Sequence, residues 1–185
     1  GVIEVDDVDE LIDTAWLLAR KLPVGDEKLA IYASSGGAAT LAADMVGSAG
    51  LMLAEFSPET TMRLGELLPS YAAINNPVDV GTEIFTRPTL VDDTLKAVVD
   101  DPSVGLVLYT YPLDYGPVMQ QNAESTVRVQ GTTSTPILPV WMSDRIGEGY
   151  QVFVKAGLAP PRSLSKAVRA AQRWIAWGKW RKNFN

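Results

Sequence analysis

A chain of 185 residues that is 46% apolar and 21% charged has the material for one buried core and an appended element, and none of its apolar runs approaches the roughly 18 residues of a membrane span. Its net charge of −6, from 16 basic and 22 acidic residues, argues against a nucleic-acid or anionic-membrane surface. Cysteine and histidine are both absent, which excludes disulfides, thiolate or imidazole zinc sites, cysteine nucleophiles and any Ser-His-Asp relay or phosphohistidine carried by this chain.

The acidic opening Gly1-Val2-Ile3-Glu4-Val5-Asp6-Asp7 is unlike a signal peptide, so the cytoplasm is the default expectation, and a start at Gly1 is expected of a fragment. Val8, Leu11, Ile12, Ala15, Leu18 and Ala19 recur at helical spacing behind capping aspartates, predicting an amphipathic helix over 7–21. Pro23-Val24-Gly25-Asp26 breaks it. A helix standing before the first strand is expected to belong to something upstream, so the expected division is a tail of a preceding domain over 1–25 and a domain over 26–185.

Leu29-Ala30-Ile31-Tyr32-Ala33 has the continuous apolar character of a buried parallel strand. It runs into Ser34-Ser35-Gly36-Gly37 and then into a small-residue helix from Ala38 to Ser48, closed by Ala49-Gly50. Leu51–Ala54 is a short second strand. Ser57 and Pro58 open a helix that runs to Leu68. The segment 70–81 is a loop, Thr89 to Asp100 a helix, Val104 to Tyr109 a strand and 117–130 a helix. The strand Pro136–Met142, a helix near 147–156, a short strand at 157–161 and a last helix from Ser163 to about Trp180 complete the chain. Strands alternating with helices predict βαβ crossovers and a mostly parallel, doubly wound α/β sheet covered on both faces.

Two loops carry candidate chemistry. After a strand, Ser35, Gly36, Gly37 and Ala38 begin a helix whose first N–H groups lack intrahelical partners and lie at the positive end of the helix dipole. Such a terminus holds a phosphate, a sulfate or a carboxylate, and it sits where open α/β sheets bind ligands. A tight structural turn has the same sequence. The pattern is neither a Walker loop nor the dinucleotide fingerprint, which disfavours a nicotinamide-dependent reductase. The second loop is Asn76-Pro77-Val78-Asp79-Val80-Gly81, in which Asn76 and Asp79 could brace the glycine loop through side-chain to backbone hydrogen bonds and Pro77 and Gly81 shape the turn. An ordinary Asn-Pro turn is the other reading.

Four features are weaker. Asp92, Asp93, Asp100 and Asp101 lie on and after a helix expected to face solvent, which leaves little for a metal. The basic stretch Lys166–Lys182 is expected to be a solvated helix face. Trp174, Trp177 and Trp180 recur every three residues as a packing stripe. Tyr109-Thr110-Tyr111-Pro112 falls at the end of a strand and hence near the ligand rim.

Taken in order, these segments resemble the last ligase-type domain of the acyl-CoA synthetase (NDP-forming) and succinyl-CoA synthetase superfamily. The resemblance runs through Leu29–Gly37, Leu41-Ala42-Ala43-Asp44, Leu53–Thr60, Leu64–Pro69, Asn76-Pro77-Val78-Asp79, Asp101-Pro102-Ser103-Val104 and Ser165–Ala170. Gly1–Leu11 resembles the stretch that closes the preceding domain. The resemblance implies a flavodoxin-like C-terminal domain of a ligase that interconverts acid, CoA and nucleoside triphosphate with acyl-CoA, nucleoside diphosphate and phosphate. It implies CoA, ATP or ADP and phosphate as ligands of the whole enzyme, with an acyl phosphate and a phosphohistidine as intermediates. It also implies partners: CoA-binding and histidine-bearing ligase domains upstream, an ATP-grasp domain, and an oligomeric whole. The helix at Gly36-Gly37 would then be one of two whose N-termini face the phosphorylated histidine of another domain. A fragment of this kind is expected to be inactive alone. A non-catalytic binding or regulatory α/β module is the alternative.

Overall fold

The computed structural model describes residues 1–20, 27–87 and 89–183. Seven helices, α1 Val8–Ala19, α2 Gly36–Ser48, α3 Pro58–Leu67, α4 Leu90–Val99, α5 Pro117–Gln130, α6 Glu148–Lys155 and α7 Leu164–Lys182, accompany five strands: β1 Lys28–Ala33, β2 Met52–Leu53, β3 Val78–Asp79, β4 Leu106–Tyr111 and β5 Ile137–Trp141. All strand pairs are parallel, in the order β2-β1-β4-β5, and β3 joins the β2 side of β1 further along. This is the expected flavodoxin-like α/β sheet with a helix before its first strand.

Every residue of β4 and β5, and all of β1 beyond Lys28, is buried because helices cover both faces. On one face Leu29, Ile31, Leu106, Leu108, Leu138 and Val140 pack under α2 and α7. Ala38, Ala39 and Ala42 of α2 are buried there, and their small side chains let the helix lie close to the sheet. On the other face Tyr32, Tyr109, Tyr111 and Trp141 form an aromatic row under α3 to α6. Ring centroids in this row are 4.6 Å apart for Tyr32–Tyr109, 4.3 Å for Tyr109–Tyr111 and 5.5 Å for Tyr111–Trp141. Such pairs are each worth about 0.5–1.5 kcal/mol beyond the area they bury.

Local chemistry accounts for the helix starts. The Asp7 carboxylate accepts the Glu10 N–H at 2.9 Å, and the Ser57 hydroxyl accepts the Thr60 N–H at 3.2 Å with Pro58 in the first turn.

Four expectations need correction. No strand forms at 157–161: Gly157, at φ +73°, ends α6, the Leu158 N–H returns to the Phe153 carbonyl, and two prolines follow that cannot donate to a ladder. A single bond, from the Trp141 N–H to the Pro161 carbonyl, ties that segment to β5. The strand expected at 104–109 lies two residues later, since Val104 still belongs to the turn closed on the Asp101 carbonyl. β3 was hidden inside the expected loop. The basic stretch is not simply a solvated face, because Lys166 pairs with Asp7 and Asp9, Arg169 with Asp6 and Glu10, and Arg173 with Glu10. These pairs fasten α1 to α7. Burial raises the Glu10 carboxyl, but the Asp6 amide and the Arg173 and Arg169 guanidinium groups outweigh it and hold Glu10 below its ordinary value. The predicted break at 23–26 lies outside the described residues. The tryptophan stripe divides: Trp174 is buried, Trp177 half-buried under Arg181, and Trp180 is 40% exposed.

Candidate functional site

The chain enters the sheet at β1, adds β2 and β3 on one side, and then crosses to β4 on the other. The C-terminal ends of β1 and β4 therefore flank a topological switch point, where the following helices, α2 and α5, depart to opposite faces, the place at which open α/β sheets bind ligands.

The glycine loop stands on one side of it. β1 ends at buried Ala33, Ser34 and Ser35 are half-buried, and Gly36 and Gly37 are exposed. Ser35 is the N-cap in extended conformation, yet its side chain makes no capping bond. The first intrahelical bond runs from the Ala39 N–H to the Ser35 carbonyl at 2.9 Å. Among the described residues, the N–H groups of Gly36, Gly37 and Ala38 have no protein acceptor. Three donors at the positive end of a 13-residue helix thus face the C-terminal edge of the sheet.

Asp79 flanks this terminus. Pairing of Ala33 with Asp79 carries β3 up to the end of β1, and the Val80 N–H continues it by donating to the Ala33 carbonyl at 2.9 Å. One Asp79 oxygen accepts the Gly81 N–H at 3.0 Å, closing a turn that Gly81 completes at φ +58°. The other oxygen lies 3.3 Å from where a Cβ on Gly36 would stand, so the loop passes the carboxylate closely because residue 36 has no side chain.

Asn76 lies elsewhere. Its carboxamide oxygen accepts the Ile31 N–H at 2.9 Å, and its nitrogen donates to the carbonyls of Leu29 at 2.8 Å and Ala54 at 3.0 Å. These bonds fill the gap on the β1 edge between β2 and β3, three residues short of the glycine loop. Asn76 supports that loop only through the strand beneath it. The reason is register: a side chain at 76, across a cis bond to Pro77, reaches the middle of β1, whereas 79 is level with its end.

The segment 109–112 does not form the rim as expected. Tyr109 and Tyr111 are fully buried in the aromatic row, and burial pushes both phenols well above their ordinary value. The rim is made by residues that sequence reasoning passed over: Phe85, from the 3₁₀ turn Gly81–Phe85, meets Tyr115 edge-on at 5.1 Å, and both rings are more than two-fifths exposed. Only their contact across separate loops marks them.

Asp92 and Asp101 are structural. Asp92 pairs with Arg128 at 2.9 Å and accepts the Ser125 hydroxyl. Asp101 is buried and accepts the Ser57 and Ser103 N–H groups and the Ser103 hydroxyl. Among the described residues no group of three or more acidic side chains is placed to hold a metal ion.

Comparison with known proteins follows the same outline. Residues 29–137 match the Ligase-CoA domain family. The α subunit of ADP-forming acetate–CoA ligase II from Pyrococcus furiosus is 27% identical over 175 residues, covering 92% of this chain and 38% of that protein. ADP-forming acetate–CoA ligase I from Archaeoglobus fulgidus is 38% identical over 112 residues, 58% of this chain and 15% of that protein. Among solved structures, PH0766 from Pyrococcus horikoshii superposes with a TM-score of 0.84 at 26% identity, over 97% of this chain and 42% of that one. The dinucleotide-forming acetyl-coenzyme A synthetase 1 of Candidatus Korarchaeum cryptofilum, in complex with phosphate and ADP, has the same fold at a TM-score of 0.80 and 19% identity, over 98% of this chain and 39% of that one. The chain spans less than half the length of each of these proteins. No helix among the described residues is long and apolar enough to cross a membrane.

Proposed function

The chain belongs to the Ligase-CoA domain family, and on that footing we propose that it is the phosphate-cradling, flavodoxin-like domain of an NDP-forming acyl-CoA synthetase. The whole enzyme would join an acid and CoA at the expense of a nucleoside triphosphate, releasing acyl-CoA, nucleoside diphosphate and phosphate. Residues 1–25 are proposed as the tail of a preceding domain and residues 26–185 as the ligase domain. CoA, nucleotide and the histidine that carries the phosphoryl group would be held by other domains, since this chain has no histidine.

The observation that carries the reading is the free N-terminus of α2 at the switch point. The N–H groups of Gly36, Gly37 and Ala38 supply donors to phosphoryl oxygens without a proton that must be moved. Phosphoryl transfer needs positioning and charge stabilisation above all, and fixed amides provide both. Ser35 fixes the direction of entry, and Asp79 with Gly81 sets the height of the loop. The exposed Phe85 and Tyr115 rings would border the domain that presents the phosphoryl group.

Phosphate titration of the isotopically labelled chain tests this. The amide resonances of Ser35–Ala38 should move in a saturable way while the chain alone shows no acyl-CoA synthesis. Amides that stay still at high phosphate would leave the loop a structural turn and favour a non-catalytic module. Turnover by the chain alone would refute the division of labour between domains.

A further inference from the structure

Helix α1 has two working faces. Glu10, Thr14 and Leu17 are buried where it packs against α7. On the opposite side Val8, Ile12, Ala15 and Ala19 follow at intervals of four, three and four residues, the spacing of a two-helix seam. All four are exposed, Val8 at 69% and Ile12 at 58%, with Leu11 at 53% alongside. Bulky residues at one end and two alanines at the other leave room for a second helix to approach closely. Exposed leucines and valines are common singly, but a contiguous seam on one helix is the mark of an interaction surface.

A second observation lies on the flank of that seam. Asp9, Ile12, Asp13 and Trp16 of α1 line one wall of a groove of about 420 Å³, and Tyr150, Pro160 and Lys166 stand on the other. Lys166 already pairs with Asp7 and Asp9, Arg20 covers the Trp16 ring and Arg162 the Tyr150 ring. Asp13 is the carboxylate left over: half-buried in the groove, it has neither a hydrogen bond nor an ion pair among the described residues. Burial, then the neighbouring Asp9, with Asp7 and Glu10 adding, raise its carboxyl above the ordinary value against the pull of Lys166.

We propose that α1 is a docking helix for a helix of another domain of the synthetase, one with an apolar seam and a lysine beside it whose ammonium enters the groove and pairs with Asp13. Charge complementarity selects this occupant. A second copy of α1 could not supply that partner in either orientation, because Val8–Ala19 contains no lysine or arginine and would bring only further carboxylates to Asp13. A lysine suits the groove because its stem can lie along Trp16 and Pro160 while the compact ammonium reaches a single carboxylate. The proposal rests on the reading of the chain as one domain of a larger ligase, but it does not involve the α2 terminus.

The test compares the 185-residue chain with the complete synthetase. Amide hydrogen exchange across α1 should be slowed roughly tenfold or more in the complete enzyme, and Ile12→Glu should abolish that slowing. Carbodiimide, which couples a carboxylate to a neighbouring amine, should link Asp13 to a lysine of another domain, and Asp13→Asn should remove the product. In the isolated chain Ile12→Glu, at an exposed position, should leave the melting temperature and the phosphate response of Ser35–Ala38 unchanged. That readout separates this proposal from the function of the glycine loop. Equal exchange of α1 in chain and complete enzyme would overturn the proposal, as would cross-links joining two copies of α1.

Discussion

The Asn76 carboxamide takes the place of a missing strand residue beside Ile31, accepting its N–H at 2.9 Å while donating to Leu29 and Ala54 on either side. Both strands on that edge of β1 are only two residues long, so one side chain completes the hydrogen-bonding of a buried central strand.

Asn76→Ala should therefore act as a core mutation. It strands the Ile31 N–H and the Ala54 carbonyl, both in buried residues, at about 1–3 kcal/mol for each unsatisfied group, while the Leu29 carbonyl keeps the Ala54 N–H as its donor. Urea denaturation should show a loss of about 2 kcal/mol or more. Asn76→Asp keeps the acceptor but loses the donors, and it should be no milder. A change below 1 kcal/mol would mean that water replaces the carboxamide without penalty.

Gly36 and Gly37 should differ. A Cβ at Gly36 lies 3.3 Å from the Asp79 carboxylate, whereas one at Gly37 meets only the Ser35 hydroxyl at 3.9 Å. Gly37→Ala should retain most of the phosphate response. Gly36→Val must push the loop or Asp79 aside and should weaken phosphate binding roughly tenfold, a change of about 1.4 kcal/mol. Isothermal titration of the two variants decides it, and equal affinities would remove Asp79 from the account.

At Gly149, α6 crosses α5 so closely that a Cβ would lie 2.9 Å from the Met119 backbone. Gly149→Ala should cost about 1–3 kcal/mol by overpacking, despite alanine's better helix propensity. Thermal unfolding would register it as a lower midpoint; a raised midpoint would show the two helices free to separate.

Acid should loosen the turn before β4. Burial raises the Asp101 carboxyl, but the Ser103 and Thr60 hydroxyls and the Ser57 and Ser103 amides outweigh it and lower it from 3.8. At Asp92 burial is likewise outweighed by Arg128 and Ser125. Both groups ionise more readily folded than unfolded, so their stabilisation is complete above about pH 5 and is lost as pH falls through and below the ordinary carboxylate range. Asp101→Asn should lower the melting temperature at pH 7 and flatten its decline between pH 5 and pH 2. An unchanged slope would assign the acid sensitivity to other carboxylates.

What could be read from the chain depended on the range of the interaction behind each feature. The continuous apolar runs at Leu29–Ala33 and Pro136–Met142, the Ser57-Pro58 start and the small-residue helix after Gly36-Gly37 are local signals, and each element stands within a residue or two of its expected place. The switch-point terminus of α2 was legible too, because a strand, two glycines and a helix specify it without reference to distant residues. Tertiary structure alone decided the rest. A two-residue strand such as β3 has no periodicity and exists because Tyr32 and Ala33 offer it an edge. Asn76 and Asp79 look alike in one short motif, but their different heights along β1 give one the strand and the other the glycine loop. The charges on α7 read as solvated until the fold brought Asp6, Asp7, Asp9 and Glu10 against them across more than 150 residues of chain, and ion pairs at that separation leave no trace in local sequence.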